Sequence, residues 1–269
     1  MEALQQERII QEIISKAGMA HGCSIEELAQ MRVDAYNNSV GNLGDYDCPI
    51  CKNKGYVQYV GKNAEEITSE CECMPIRITR KTIRESGLSN ILNKCTFANF
   101  QTHEKWQENA RDMAKRFVTD HENKWFFAGG QVGCGKTHLC TAIVGEFLSE
   151  GIRAKYMLWR DEATKLKSII MDDDYGIEIS KIEQMPVLYI DDFFKTEKGK
   201  KPTTSDVNIA FEILNYRYMN PGLITIISSE LTVDDIIDID QAVGSRIYER
   251  SKVSCLCIGQ DIKKNYRLR

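Results

Sequence analysis

The most constraining feature of the sequence is the segment GGQVGCGKT at residues 129–137, which lies between an apolar run, KWFFA, and a stretch with helical spacing, KTHLCTAIVGEFLSEG. Four of its residues fit the pattern G-x-x-x-x-G-K-[ST] between a strand and a helix: Gly130, Gly135, Lys136 and Thr137. Glycines let the backbone curl so that successive N–H groups face a phosphate, and the next helix adds the positive end of its dipole. The segment predicts a nucleotide-binding loop, against the alternative of a glycine turn that binds nothing.

Two side chains of this loop have distinct expected roles. Lys136 would reach the β and γ phosphates of ATP, and the Thr137 hydroxyl would ligate Mg²⁺. The other residues expected to contact the nucleotide are Gly130, Gly133, Cys134, Gly135 and His138. His138 is also explained as an ordinary helix residue.

A second element of the expected nucleotide site, an acidic one, follows further along the chain. The run VLYIDDFF reads as a buried strand that ends in Asp191 and Asp192. Carboxylates at the C-terminal end of a parallel strand lie where such folds gather their ligands. We expect Asp191 to hold Mg²⁺ through water and Asp192 to orient the attacking water. An acidic turn without a ligand is the alternative.

Five short apolar or β-branched runs alternate with helical segments in the second part of the chain: KWFFA, RAKYMLW, VLYIDD, LITIISS and VSCLCIG. Such alternation predicts an α/β fold with a five-stranded parallel sheet flanked by helices. RAKYMLW separates the phosphate loop from the acidic strand. If the acidic strand does not pair with the first strand, the chain belongs to the ATPase branch of the P-loop class rather than to the small-molecule kinases.

The cysteines point to a metal site. Ten cysteines would indicate disulfides in a small secreted chain, but grouped cysteines in a reducing compartment more often hold metal. The grouped ones are Cys48, Cys51, Cys71 and Cys73, in CPIC and CEC. Four thiolates predict a structural Zn²⁺ site, with free thiols or an iron–sulfur cluster as alternatives. His21 is a less favoured substitute ligand.

The first part of the chain reads as a small helical and zinc-binding domain, residues 1–92, ahead of an ATPase domain at 93–269. LQQERIIQEIISKAGM has the apolar spacing of an amphipathic helix, and Ser24 with Glu27 forms a capping box for a second helix. The net charge is −4, so nucleic-acid contacts would need a local basic stripe. No apolar run is long enough for a membrane span and the start is unlike a signal peptide, so we expect a cytoplasmic protein without membrane contact.

Residues 95–269 resemble an AAA+ ATPase core, and specifically the DnaC/DnaI-like replicative helicase loaders of phage or low-GC bacterial type. The resemblance rests on GGQVGCGKTHL, LYIDDFFK, EILNYRY, TIISSEL and SRIYER followed by KNYR, and CPICKNKGY is similar to the start of the family's zinc module. It implies that the first domain binds a hexameric DnaB-type helicase. It also implies that ATP-bound subunits self-associate on single-stranded DNA.

The resemblance extends to residues around the nucleotide. Thr96 and Phe97, in CTFANF, would close over the adenine, although a packed linker is an equal alternative. Ser229 or Glu230 would be the sensor at the end of the fourth strand. Relatives usually have Asn at the position of Glu230, and an ionised glutamate cannot donate a hydrogen bond to the γ-phosphate, which favours slow turnover.

Three arginines have implied roles. Arg250, with Arg246 second, would reach across to complete a neighbouring subunit's site, and Arg267 would sense the γ-phosphate of its own subunit. Solvated arginines are the alternative. Few residues follow Gly259, too few for a C-terminal helical lid, as in the loaders. ATP would then be held best between two subunits, as an assembly signal.

The basic residues suggest a DNA-facing surface. They are Lys195, Lys198, Lys200 and Lys201 in KTEKGKKP, with Lys165 and Lys167 before the acidic strand. A solvated lysine loop is the alternative, and Tyr156 and Trp159 would either stack on bases or belong to the core. Two competing functions are an IstB-type transposition helper that binds duplex DNA and a small-molecule P-loop kinase.

Overall fold

The computed structural model describes residues 24–44, 47–197 and 200–268. The chain divides into two compact units that meet between Arg77 and Ile78. The predicted division at 92/93 separates functions and stays a prediction. The first predicted helix lies outside the described residues. No helix in the described ranges is both long and apolar enough to cross a bilayer.

The first unit combines one helix with a hairpin. Helix α1, Ile25–Asn38, begins at the capping box of Ser24 and Glu27, as the sequence predicts. Strands β1, Tyr56–Val60, and β2, Glu66–Glu70, pair antiparallel, a hairpin that the sequence analysis does not include. Helix α2, Cys73–Glu85, follows and contains the boundary between the units.

The second unit alternates strands and helices. Its strands are β3 Trp125–Gly130, β4 Ala154–Leu158, β5 Val187–Asp191, β6 Ile224–Ser228 and β7 Cys255–Ile258. Its helices are α3 Lys105–Thr119, α4 Lys136–Ser149, α5 Trp159–Ser168, α6 Tyr175–Glu183, α7 Thr204–Met219, α8 Val233–Ile239 and α9 Gln241–Ser251. Two short 3₁₀ turns, Ile262–Lys264 and Tyr266–Leu268, complete the described part.

The sheet is parallel throughout, in the order β4-β5-β6-β3-β7. Strand β6 lies between β3 and β5, so the acidic strand does not pair with the strand of the phosphate loop. This is the order expected of the ATPase branch, and it confirms the predicted fold class. Because the strands are parallel, their carboxyl ends meet at one edge, where ligands of such sheets bind.

The core lies on both faces of the sheet. Along β5, Val187 and Tyr189 pack with one apolar cluster, whereas Leu188 and Ile190 pack with the other. The alternation follows the two-residue period of a strand, and full burial follows from the helices on both faces. Each strand end is therefore held rigidly relative to its neighbours.

Arg217 explains a motif without an assigned role, EILNYRY. Its fully buried guanidinium donates to Glu183 O at 2.8 Å, Ile224 O at 2.7 Å and Thr225 Oγ1 at 2.9 Å. Burial lowers the pKa of Arg217 to about 9, against the nearby charge of Glu183, which raises it. The residue ties α7 to the end of α6 and to β6.

Candidate functional site

The phosphate loop leaves the sheet at the end of β3 and enters α4 at Lys136. Gly130 has φ of +96°, and a Cβ there would lie 2.1 Å from Ile258 O, so only glycine fits. Cys134 is buried and its thiol donates to Gln131 O at 2.9 Å, so this predicted contact residue shapes the loop from inside. The loop closes on itself as the motif requires.

Lys136 lies within the curl of this loop. Its ammonium donates to Gly130 O at 2.9 Å and to Gln131 O at 2.7 Å, and the side chain is buried. A lysine placed there carries its charge where the phosphates meet such a loop. The geometry suits the role predicted for it.

Asp191 is the centre of the hydrogen-bond network at the strand ends. Its carboxylate accepts from Thr137 Oγ1 at 3.3 Å, from Tyr156 OH at 3.1 Å and from Ser228 Oγ. The two predicted magnesium ligands are thus brought together, Thr137 from the first turn of α4 and Asp191 from the end of β5. Burial and the charge of Asp191 raise the pKa of Tyr156, so its hydroxyl stays a donor. Neither Ser228 nor this role of Tyr156 is among the predictions.

A cavity of about 630 Å³ opens at this edge of the sheet. The volume suits a mononucleotide. The predicted residues that line it are Gly133, Gly135, Lys136, Thr137, His138, Asp191, Asp192, Glu230 and Arg267. Residues not assigned to the nucleotide beforehand also line it, namely Asn99, Phe100, Gln101, Tyr156, Lys195 and Tyr266. These oxygens, amides and cations suit a magnesium-bound triphosphate.

The segment CTFANF borders the cavity, but with different residues from those predicted. Phe97 is buried in the core, and Thr96 contributes its carbonyl, which contacts His138 Nε2 at 2.8 Å. Phe100 lines the cavity instead and meets the His138 ring edge-on at 5.3 Å. Both phenylalanines are buried in the same apolar cluster, but Phe100 also forms part of the cavity wall.

The end of β6 also differs in detail from the expectation. Ser229 is buried, donates to Phe193 O at 2.7 Å and accepts from Leu231 N at 3.1 Å, so its hydroxyl holds a turn. Glu230 lines the cavity. Its carboxylate lies 2.8 Å from Lys195 Nζ, which is also 2.9 Å from Asp192 Oδ2. Burial acts to lower the pKa of Lys195, but the bonds to Glu230 and Asp192 outweigh it and raise the pKa.

The predicted trans arginines lie on α9 and are not among the described residues that line the cavity. Arg246 stacks on Phe211 at 4.9 Å and donates to Asn215 Oδ1 at 2.9 Å. Arg250 stacks on Tyr218 at 4.7 Å and donates to Tyr218 O at 2.6 Å. Contacts with α7 therefore engage both guanidinium groups outside the described lining of their own chain's cavity.

Most of the lysines proposed for DNA contact have acidic partners. Lys165 lies 3.1 Å from Glu178, and Lys167 lies 2.8 Å from Asp206. Lys200 pairs with Glu197 at 2.6 Å, while Lys201 is exposed. Lys198 lies outside the described residues. Trp159 belongs to the core, which was one of its two interpretations.

The four predicted zinc ligands form a buried cluster. Their sulfur atoms all lie within 4.8 Å of one another, with Cys48 and Cys71 at 3.7 Å and Cys51 and Cys73 at 3.6 Å. A tetrahedron of 2.3 Å Zn–S bonds has edges of about 3.8 Å. Both the geometry and the donor atoms therefore fit a structural Zn²⁺ ion.

The surroundings of the cluster also suit bound thiolates. The hairpin pairs Tyr56 with Glu70, which brings the two cysteine pairs together. Burial acts to raise the pKa of Cys51. Hydrogen bonds from Gly55 N–H, 3.2 Å from Cys51 Sγ, and from the neighbouring thiols outweigh burial and lower this pKa to about 6. Arg77, on α2, is buried with its Nε 3.3 Å from Cys73 Sγ and so supplies a compensating positive charge.

Sequence relatives share this ATPase unit. The chain matches the family described as IstB-like ATP binding protein over residues 67–259. It is 32% identical over 238 residues to the phage-like element PBSX protein XkdC of Bacillus subtilis (strain 168), covering 83% of this chain and 86% of that protein. It is 25% identical over 147 residues to the replicative helicase loader DnaC of Escherichia coli (strain K12), covering 46% of this chain and 59% of DnaC.

The fold is likewise similar to a solved structure. A crystal structure of the DnaC helicase loader matches 63% of this chain and 98% of its own, with a TM-score of 0.52 and 20% identity. At that identity the likeness concerns the fold, which is that of an AAA+ core. With the family match extending over most of the sequence, the chain belongs to the IstB-like ATP binding proteins.

Proposed function

We propose that this protein is an ATP-dependent loader that binds a DnaB-type replicative helicase and delivers it onto single-stranded DNA. The relative DnaC carries the name of replicative helicase loader, and XkdC is named for a phage-like element. Both names agree with the phage or low-GC type of loader that the motifs resemble. ATP hydrolysis would act as the signal for assembly and release.

One observation carries the proposal: the phosphate loop and the acidic strand line the nucleotide cavity, whereas Arg246 and Arg250 pack on aromatic residues of α7 and are not among the described residues that line it. A neighbouring subunit would then supply the arginine that stabilises charge on the transferred phosphoryl. Such a site works only between subunits. Hydrolysis would therefore report assembly.

The other steps of ATP hydrolysis would be carried out by residues of the subunit that binds the nucleotide. Lys136 neutralises phosphate charge, and Asp192 orients the attacking water. Thr137 and Asp191 would hold Mg²⁺, which supplies charge neutralisation when bound. Arg267, at the cavity wall, would contact the terminal phosphate in cis.

The first domain would carry partner binding. The cysteine cluster fits Zn²⁺, and a metal held by four thiolates would fold this small module into one defined surface. We place helicase binding in residues 1–92. Lys165, Lys167 and Lys200 would exchange their acidic partners for DNA phosphates, and the exposed Lys201 would join them, which makes DNA binding salt-dependent.

A second candidate is a transposition helper, because the matching family is described as IstB-like. The cysteine cluster of the first unit disfavours it. A loader prefers single-stranded DNA, whereas a transposition helper prefers duplex DNA. Competition between the two DNA forms for the full-length protein separates these functions.

The direct test is co-purification with a purified DnaB-type helicase, with and without ATP and single-stranded DNA. We expect capture of the helicase by the full chain and ATP-dependent formation of larger assemblies in native mass spectrometry. Capture of the helicase that does not require residues 1–92 would refute the loader function. A preference for duplex DNA without capture of the helicase would also refute it.

A further inference from the structure

Lys195 occupies an unexpected place for a residue of the basic loop. Its ammonium lies between two carboxylates of the cavity, 2.9 Å from Asp192 Oδ2 and 2.8 Å from Glu230 Oε1. All three residues line the cavity together with Lys136 and Thr137. The charge is thus part of the site that holds the phosphate loop.

The backbone before Lys195 is firmly anchored. Phe193 and Phe194 are buried and stack with centroids 4.1 Å apart. Phe193 N donates to Ser228 O at 2.8 Å, and Lys195 N donates to Asp192 O at 3.0 Å in a tight turn. Asp192 and Phe194 have φ of +52° and +57°, a conformation that only strong packing maintains in such residues. This turn directs Lys195 into the cavity rather than along the loop.

The charges around the cavity give this position a chemical meaning. Glu230 follows the end of β6 and has only acceptor oxygens when ionised. An uncompensated carboxylate there would repel a triphosphate. An ammonium group has three donors, of which two are engaged by Asp192 and Glu230. Among the described residues the third donor has no partner, so it is available to a phosphate oxygen.

We propose that Lys195 is the hydrogen-bond donor that meets the terminal phosphate of ATP at the end of β6, and that Glu230 is its positioning residue. This inference rests on the proposed ATP hydrolysis. Relatives usually have Asn, a neutral donor, at the position of Glu230. Here the ammonium of Lys195, positioned by Glu230, would take the place of that donor. The same ammonium keeps the Asp192 carboxylate in a fixed orientation.

The test compares Lys195→Ala, Glu230→Gln and the double variant Lys195→Ala with Glu230→Asn. Lys195→Ala should lower kcat about a hundredfold, as removal of one transition-state donor does, and lower ATP affinity about tenfold with ADP affinity unchanged. Glu230→Gln keeps the lysine and should lower kcat about tenfold. The double variant should recover at least about tenfold in kcat over Lys195→Ala, because the asparagine amide is neutral and donates.

Lys105→Ala is the matched control, since Lys105 also pairs with a glutamate, Glu108 at 3.0 Å, on the exposed face of α3. Unchanged ADP affinity shows that each variant is folded. The proposal would be overturned if Lys195→Ala kept both the wild-type preference for ATP over ADP and the wild-type kcat. It would also be overturned if this variant hydrolysed ATP faster than the wild type. If the wild-type protein binds ATP without hydrolysing it, the proposed function fails, whereas the ATP over ADP preference still decides the role of Lys195.

Discussion

The cysteine cluster fits a metal ion and the cavity fits a magnesium-bound nucleotide, but the chain assembles the two sites differently. The cysteines come from one short stretch, and a single hairpin brings them together. The cavity takes residues from the ends of β3, β5 and β6, and so it exists only when the parallel sheet is complete. A local site follows from residue spacing, whereas a site at a sheet edge follows from strand order.

The two regions also differ in what stabilises them. Among the described residues of the first unit, the buried cluster consists of the four cysteines with Val57 packed against them. The second unit has two large apolar clusters, with Phe127 in one and Phe147 in the other. A small module whose described part buries so little apolar surface would depend on a metal held by these cysteines, while the second unit depends on hydrophobic packing. Four experiments test this comparison, in order of decreasing effect.

The largest effect is expected from loss of the metal ligands. Cys48→Ser together with Cys71→Ser should abolish zinc binding and unfold the first unit, because a structural zinc ion contributes about 10 kcal/mol or more to folding. ATP binding should survive, since the second unit has its own core. Zinc content and nucleotide affinity measure the two effects. The exposed Cys257→Ser is the control, and coupled loss of ATP binding would contradict the independence of the units.

The next largest effect is expected on ATP hydrolysis at the proposed interface between subunits. Arg250→Ala should lower hydrolysis about a thousandfold while leaving ATP affinity nearly unchanged, because a trans arginine acts on the transition state. Mixing these subunits with Lys136→Ala subunits should restore hydrolysis, since each provides what the other lacks. Arg246→Ala is the second variant to assay. If both arginines are dispensable in a well-folded mixture, the cavity does not need a neighbour.

A smaller effect is expected for the phosphate loop itself. Lys136→Ala should weaken ATP binding by about 3 kcal/mol, because it removes a buried charge that pairs with phosphate. Zinc content should stay at the wild-type level. Titration with a fluorescent ATP analogue measures the loss. Equal affinity of the variant and wild type would show that the loop does not bind nucleotide.

The smallest effect is a pH dependence within the second unit. Burial and the nearby charge of Glu212 raise the pKa of Glu183 to about 7, although Arg217 opposes the shift. The folded state then holds a proton that the unfolded state has released, so stability falls as pH rises from about 4.5 to about 7. Glu183→Gln should stabilise the protein by about 1 kcal/mol at pH 8, after allowance for solvent screening, and by nothing at pH 4.

Urea denaturation at the two pH values measures this difference. The bond from Arg217 goes to the Glu183 carbonyl and so survives the substitution. Glu122→Gln, at an exposed position, is the control for the loss of a surface carboxylate. A gain for Glu183→Gln that is equal at both pH values would contradict a raised pKa.

Much of the architecture could be predicted because its signals are local. Apolar runs mark the five strands, Ser24 and Glu27 mark the start of α1, and glycine spacing marks the phosphate loop. The hairpin was harder to predict because its strands consist of intermediate and exposed residues without a buried one, and so they carry weak apolar patterning.

The site was predictable where a residue belongs to a motif and not where a turn decides its direction. Thr137 and Asp191 meet as expected. Phe97 and Phe100 have the same chemistry and pack in the same apolar cluster, and only the tertiary structure decides that Phe100 also lines the cavity. Ser228 and Ser229 likewise differ in the direction that the strand end imposes on each hydroxyl.

The sequence by itself determined the strands, the phosphate loop, the acidic strand and the four cysteines, because spacing and residue type are sufficient for features that form within a few residues. The tertiary structure alone decided that β6 separates β3 from β5 and that Lys195 joins Asp192 and Glu230 in the cavity. Those arrangements depend on contacts between distant segments. Their free energy comes from packing the whole sheet against its helices, which no single stretch of sequence contains.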